Sequence, residues 1–210
     1  MNQIIPAILV QDEDAFLNRF RVMDGLVEWI QLDVLDGTLY PNTSWCDFAV
    51  LKQEAMTSKL ELHLMVDDPE KYIRSALDIE SIGRILWHVE GMGDHRELLE
   101  LVRSHKKEAG LAISPNTPAS ALEPYRGRLD EILVLGVQPG FSGQKLIPET
   151  IEKAAHLSSA FPGTLIGFDG GVNSESFSLL KAANVTYFCA ASVLFNAPDP
   201  VMVLEQFQQL

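Results

Sequence analysis

Eight short apolar runs recur along this chain. Each ends in a polar or Gly/Pro-containing loop, and stretches with helical periodicity lie between them. The runs are residues 4–10, 28–34, 59–66, 84–90, 110–114, 131–137, 164–169 and 185–192. They are mostly continuously apolar, as expected of parallel strands covered on both faces. Asp14 to Met23 carries Ala15, Phe16, Phe20 and Met23 at helical spacing. Pro69 and Pro148 stand at predicted first helical positions, where a missing N–H does no harm. His95 to Glu108, Ser174 to Lys181 and Asp199 to Phe207 supply further helices. Eight strand–helix units predict an α/β chain folded as one (β/α)8 barrel over residues 1–210. An open doubly wound sheet would want a Gly-rich turn after its first strand, and residues 9–15 (LVQDEDA) contain no glycine.

Composition limits the partners. With 16 basic and 29 acidic residues the formal net charge is −13, which argues against nucleic acid and anionic membrane surfaces. An anionic ligand must therefore be attracted by local geometry against the global field. No apolar run approaches the roughly 20 residues of a membrane span. The N-terminal stretch lacks the layout of a signal peptide. Cys46 and Cys189 are far apart and fit no metal spacing, so reduced thiols and a cytoplasmic location are expected.

In a barrel the chemistry sits at the C-terminal ends of the strands. Polar residues gather there. The second run offers Gln31, Asp33 and Asp36, the third His63, the fourth His88 and Glu90, and the seventh Asp169. Each has a plainer reading: a hydrogen-bonded core histidine, or turn chemistry at Asp36-Gly37 and Asp169-Gly170-Gly171. Their common depth in separate strands favours convergence of Asp33, His63 and Asp169 at one mouth. Buried carboxylates and an imidazole need pairing or a metal. This ligand set suits Zn²⁺, Mn²⁺, Fe²⁺ or Co²⁺. His95, His105 and His156 fall on predicted helices and are expected to face solvent. Trp29, Trp45 and Trp87 are read as packing residues.

GVQPGFSGQ (136–144), DGGV (169–172) and Ala191-Ser192 follow the last three runs. Glycine lets backbone N–H groups approach an anion, and barrels commonly bind phosphate in these loops. Amide donors would hold a phosphate without a Lys/Arg cluster.

These motifs resemble the ribulose-phosphate 3-epimerase family nearly end to end. The matching stretches are Pro6-Ala7-Ile8-Leu9, Gln31-Leu32-Asp33-Val34-Leu35-Asp36-Gly37 with Pro41-Asn42, and His63-Leu64-Met65-Val66. Ser114-Pro115-Asn116-Thr117-Pro118, Val137 to Lys145 and Asp169-Gly170-Gly171-Val172 complete them. The resemblance implies metal-assisted epimerisation at C3 of a ketose 5-phosphate, with Asp33 and Asp169 as the two acid/base groups. It implies a divalent metal on Asp33, His63, Asp169 and position 31, and no nucleotide cofactor. It places Ala7, Gly140, Phe141, Ser142, Gly143, Gly170, Gly171, Ala191 and Ser192 around the substrate and its phosphate. Leu35, Met65 and Leu135 would line the reacting centre. Relatives assemble as dimers or larger oligomers, which leaves a homo-oligomer open.

The chain departs from the family pattern at four positions. Gln31 replaces a ligating histidine, and its carbonyl oxygen is a neutral, weaker ligand. Ala7 replaces a substrate-contacting serine. Leu35 and Leu135 replace methionines at similar volume. All four lie in the expected active site. The alternative reading is a non-catalytic phosphosugar-binding barrel that has lost its metal site. A decarboxylase-like Asp-x-Lys-x-x-Asp is absent, because position 35 is leucine.

Overall fold

A computed structural model describes residues 3–141 and 143–210. Eight parallel strands close into a barrel in sequence order, with the last paired to the first. They are β1 (Gln3–Ile8), β2 (Trp29–Leu35), β3 (Lys59–Met65) and β4 (Ile82–His88), then β5 (Glu108–Ile113), β6 (Glu131–Leu135), β7 (Leu165–Asp169) and β8 (Tyr187–Ala190). The expected (β/α)8 barrel is therefore the observed fold.

Helices α1 (Glu13–Met23), α2 (Phe48–Gln53), α3 (Glu70–Ala76) and α4 (His95–Ser104) follow the first four strands. After β5 comes a 3-10 helix, Ala119–Tyr125, with Pro124 inside it. A proline there removes a donor and prevents a longer α-helix. Next come α5 (Glu149–Ala160), α6 (Ser174–Ala182), α7 (Ser192–Phe195) and α8 (Pro200–Gln208). Asp12, Asp94, Asn173 and Asp199 cap their helices through side-chain oxygens that accept backbone N–H groups.

Three sequence expectations shift. Helix α4 stops at Ser104 rather than Glu108, because Lys106 adopts φ 60° and turns the chain. Strand β5 consequently starts at Glu108. Pro69 and Pro148 are N-caps with helical backbone angles, one position before the first helical residue. The short α2, the 3-10 helix and α7 have too few turns to show a period in the sequence.

Two apolar clusters divide the core. The larger lies between barrel and helices, with Phe16, Phe20, Ile30, Trp87, Leu111, Phe168 and Phe188 among its buried members. The smaller fills the barrel itself, with Ile5, Ala7, Trp29, Leu86, Ala112, Leu133, Leu135, Tyr187 and Cys189. Trp29 and Trp87 are buried, and Trp45 stacks on Phe16, so all three tryptophans pack as read from the sequence. Among the described residues, no helix is long and apolar enough to cross a membrane.

Strand register sets the levels of the barrel interior. Gln31 pairs with Glu61 and Asp33 with His63 across β2 and β3, and Leu135 pairs with Asp169 across β6 and β7. Side chains alternate along a strand. The inward series on β2 is therefore Trp29, Gln31, Asp33 and Leu35, and on β3 it is Glu61, His63 and Met65.

Candidate active site

The upper interior level brings together the carboxylates of β2 and β7 and the imidazole of β3. Asp33, His63 and Asp169 each offer one ligand atom, all within 4.8 Å of one another. His63 Nδ1 donates to Asp33 Oδ1 at 2.9 Å and lies 3.5 Å from Asp169 Oδ2. Gln31 Nε2 donates to the same two oxygens, at 2.7 Å and 3.0 Å. The two inward carboxylate oxygens thus share two donors, and Gln31, named from the sequence, stands between them.

Electrostatics follow from burial and charge. Burial and the charge of Asp169 raise the Asp33 carboxyl to about 6, against hydrogen bonds from His63 and Gln31. Burial alone would lower the His63 pKa, but the two carboxylates outweigh it and raise it to about 10. The carboxylate pair therefore favours the protonated form of the His63 imidazole.

A polar chain leads away from His63. Its Nε2 lies 3.0 Å from His88 Nε2. His88 Nδ1 lies 3.0 Å from Glu90 Oε2 and 2.9 Å from the Tyr40 hydroxyl, which is 2.6 Å from Ser114 Oγ. Burial lowers the His88 pKa. Burial opposes the Glu90 charge, but the His88 hydrogen bond outweighs it and brings that carboxyl down to about 2. His88 and Glu90 were visible in the sequence. Tyr40 was not, because its loop position carries no periodicity.

Above this level a pocket of about 250 Å³ opens at the barrel mouth. Asp33, Met65, Leu135 and Asp169 reach it from the strands. Gly140, Phe141 and Gly143 line it from the loop after β6. Gly170, Gly171, Ala191 and Ser192 line it from the loops after β7 and β8. Ser142 lies outside the described residues. Ala7 and Leu35 do not line the pocket: both are buried, and Ala7 is the register partner of Gln31. Cys189, which pairs with Asp169 across β7 and β8, does line it.

Several local devices hold the mouth. Gly171 adopts φ +72°, and a Cβ there would lie 2.8 Å from Leu146 Cβ, so this turn requires glycine. Ser44 Oγ donates to Asp33 O at 2.7 Å and accepts from Leu35 N at 2.9 Å, fixing the end of β2. Asn42 Nδ2 donates to Gly140 O at 2.5 Å and ties the β2 loop to the β6 loop. Gln144 Nε2 donates to Gln138 O and Phe141 O and folds the latter loop on itself. Asp36 accepts from Thr38 and Tyr72, and Gly37 has φ +81°, so the predicted turn is present.

His95 corrects one expectation. It is buried rather than solvent-facing, because at the start of α4 it folds back over β4. Its Nδ1 accepts from Trp87 Nε1 at 3.0 Å and its Nε2 donates to Val89 O at 3.2 Å. His105 and His156 are exposed as expected.

Beneath the site lies a charged group hidden within the apolar runs. Arg84 Nη1 contacts Glu61 Oε2 at 2.5 Å and also Glu131 Oε2, and its Nε donates to Glu108 Oε2 at 2.7 Å. The guanidinium lies 4.2 Å from the Trp29 ring and 4.6 Å from the Tyr187 ring. Burial opposes its charge, yet the three carboxylates hold its pKa above the usual value. Burial and the charge of Glu61 push Glu131 well up. Charged residues at inward-facing parity within apolar runs were the available signal.

The sequence model of the ribulose-phosphate 3-epimerase family matches residues 3–195. The ribulose-phosphate 3-epimerase of Candida glabrata is 31% identical, covering 96% of this chain and 89% of its own. That of Bacillus subtilis is 30% identical, covering 95% of this chain and 94% of its own. Among solved structures, KGPDC from Streptococcus mutans superposes with a TM-score of 0.75 at 10% identity, over 100% of this chain and 96% of that one, which is a likeness of fold. The chain belongs to the ribulose-phosphate 3-epimerase family.

Proposed function

We propose that this protein is a sugar-phosphate epimerase acting on a ketose 5-phosphate such as D-ribulose 5-phosphate, with Asp33 and Asp169 as its acid/base pair. One observation carries the reading. The two carboxylates come from separate strands, β2 and β7, meet over His63, and both face the pocket that the glycine loops line.

Epimerisation at C3 breaks one C–H bond and remakes it on the opposite face. One aspartate accepts the C3 proton, and the electron pair moves onto the C2 carbonyl to give an enediolate. The other aspartate delivers a proton from the far side, and the two exchange roles in the reverse direction. Met65 and Leu135 keep the reacting carbon out of water. Backbone N–H groups of the loops after β7 and β8, whose Gly170, Gly171, Ala191 and Ser192 line the pocket, would hold the phosphate.

The donor set fits a divalent transition metal: two carboxylates, one imidazole and a carboxamide within reach. Asp33, His63, Asp169 and Gln31 would hold it. When bound, it supplies positive charge where the enediolate oxygens develop theirs.

A coupled assay on D-ribulose 5-phosphate with Zn²⁺, Mn²⁺, Fe²⁺ or Co²⁺ tests the reading. Turnover is expected, and Asp33→Asn and Asp169→Asn should each lower kcat by about 10³-fold or more. Binding of the sugar phosphate with no turnover under any of these metals overturns it.

A further inference from the structure

Gln31 is polar at both ends, and only one end is satisfied. Its Nε2 bridges Asp33 and Asp169, while Oε1 of the same planar amide is buried without a hydrogen-bond partner. Two further buried oxygens lack a donor, Glu61 Oε1 and Glu131 Oε1. Arg84 Nη2 also lacks a well-aligned bond, but it lies 2.6 Å from Glu108 Oε2 and is held by charge. Among the described residues, the unpaired buried side-chain oxygens are thus these three acceptors.

They share one level of the barrel. Glu61 is the register partner of Gln31. A Cβ on Gly167 would lie 2.1 Å from Glu131 Oε1, which places that oxygen one inward position below Asp169. Gln31 is likewise one inward position below Asp33. Three buried oxygens at this level have no hydrogen-bond partner, an unfavourable arrangement wherever the carboxyl is ionised. Gln31 itself carries two amide N–H donors at this level, both turned toward the carboxylates above.

We propose that the Gln31 carboxamide turns over when a divalent cation binds, giving Oε1 to the Asp33–His63–Asp169 cluster and its N–H groups to the buried oxygens beneath. This rests on the metal reading above. Without a cation, Oε1 would face two carboxylates and be repelled, so Nε2 faces them instead. With a cation there, the upper level needs an oxygen and the lower level gains its missing donor. Glu61 is then a positioning residue for Gln31, and the glutamine is a ligand set by the level below.

Zinc alone is the probe. Its affinity is measured by competition with a chromophoric chelator, and the Gln31 side-chain amide is followed by ¹⁵N NMR in the otherwise native protein. Zinc should shift the Gln31 NH₂ resonances while they remain slow to exchange with water. Gln31→Leu and Glu61→Leu should each weaken zinc binding about tenfold or more, and Glu61→Gln, which keeps an acceptor but loses the charge, should stay within about threefold. Equal weakening by both Glu61 variants would mean that Glu61 acts through charge and overturns the inference. So would unshifted Gln31 resonances in zinc-bound wild type, a readout that needs no variant to fold. Zinc binding unaffected by Gln31→Leu overturns it while leaving a metal on Asp33, His63 and Asp169 intact. A wild-type protein that takes up no zinc sinks both.

Discussion

His63 and His88 face each other Nε2 to Nε2 at 3.0 Å, so a single proton lies between them. The raised pKa of His63 places that proton on His63. His88 is then neutral, accepts at Nε2, and carries its own proton on Nδ1, which donates to Glu90. The Tyr40 hydroxyl in turn donates to Ser114 Oγ. One contact thus fixes the tautomers of a chain running from β3 to β5. Replacing His88 with leucine removes the acceptor and strands a buried N–H on His63. We expect a loss of roughly 1–3 kcal/mol in urea unfolding. His88→Gln, whose amide oxygen can accept, should recover part of it. Equal losses in the two variants would assign the effect to packing.

Glu90 gives that chain a pH signature. Its carboxyl titrates near 4.5 when unperturbed and at about 2 in the fold. Between these values the unfolded state binds more protons than the folded one, so stability rises with pH. The contribution is fully present above about 4.5 and is lost as the pH falls toward 2. Allowing for partial exposure, it amounts to roughly 2 kcal/mol. Glu90→Gln should be less stable than wild type at pH 7, and the difference should shrink between pH 4.5 and 2 in denaturant melts.

The barrel was legible because strand–helix alternation is written in apolar periodicity that tertiary contacts reinforce. Asp33, His63 and Asp169 were legible because each ends a run and the closed topology fixes where run ends meet. The lower level was not. Glu61, Arg84 and Glu131 lie inside runs, where a charged residue reads as an exposed edge or the end of a strand. Their burial is possible only because they meet one another across β3, β4 and β6, a relation carried by strand register. In the sequence alone, position 31 is a weaker copy of a ligand. Its orphaned oxygen and its neighbours below become apparent only in three dimensions.

Arg84 is the single cation among three carboxylates, so its removal should be severe. Arg84→Met leaves Glu61 and Glu131 fully buried without their counter-charge and removes the contacts to Trp29 and Tyr187. The expected loss is about 3–5 kcal/mol. Replacing Glu61, Arg84 and Glu131 together with apolar residues of similar volume should restore most of it, because burying all three charges carries a desolvation penalty that the ion pairs only partly offset. Chemical denaturation of both variants measures this. A triple variant as unstable as Arg84→Met would mean that the cluster is needed for packing rather than for charge balance.

Gly167 makes room for that cluster. Its backbone needs no left-handed conformation, so glycine is required by space: a Cβ would lie 2.1 Å from Glu131 Oε1 and 3.0 Å from Leu133 Cδ1. Gly167→Ala must therefore push the Glu131 carboxylate away from its place beside Arg84. We expect it to destabilise the fold by about 1–3 kcal/mol, the usual penalty of overpacking. Shortening Glu131 to alanine opens the space, and in that background Gly167→Ala should be close to neutral. The double-mutant cycle should give a coupling of about 1 kcal/mol or more. Additive losses would place the strain on Leu133 and free Glu131 from any dependence on the glycine opposite.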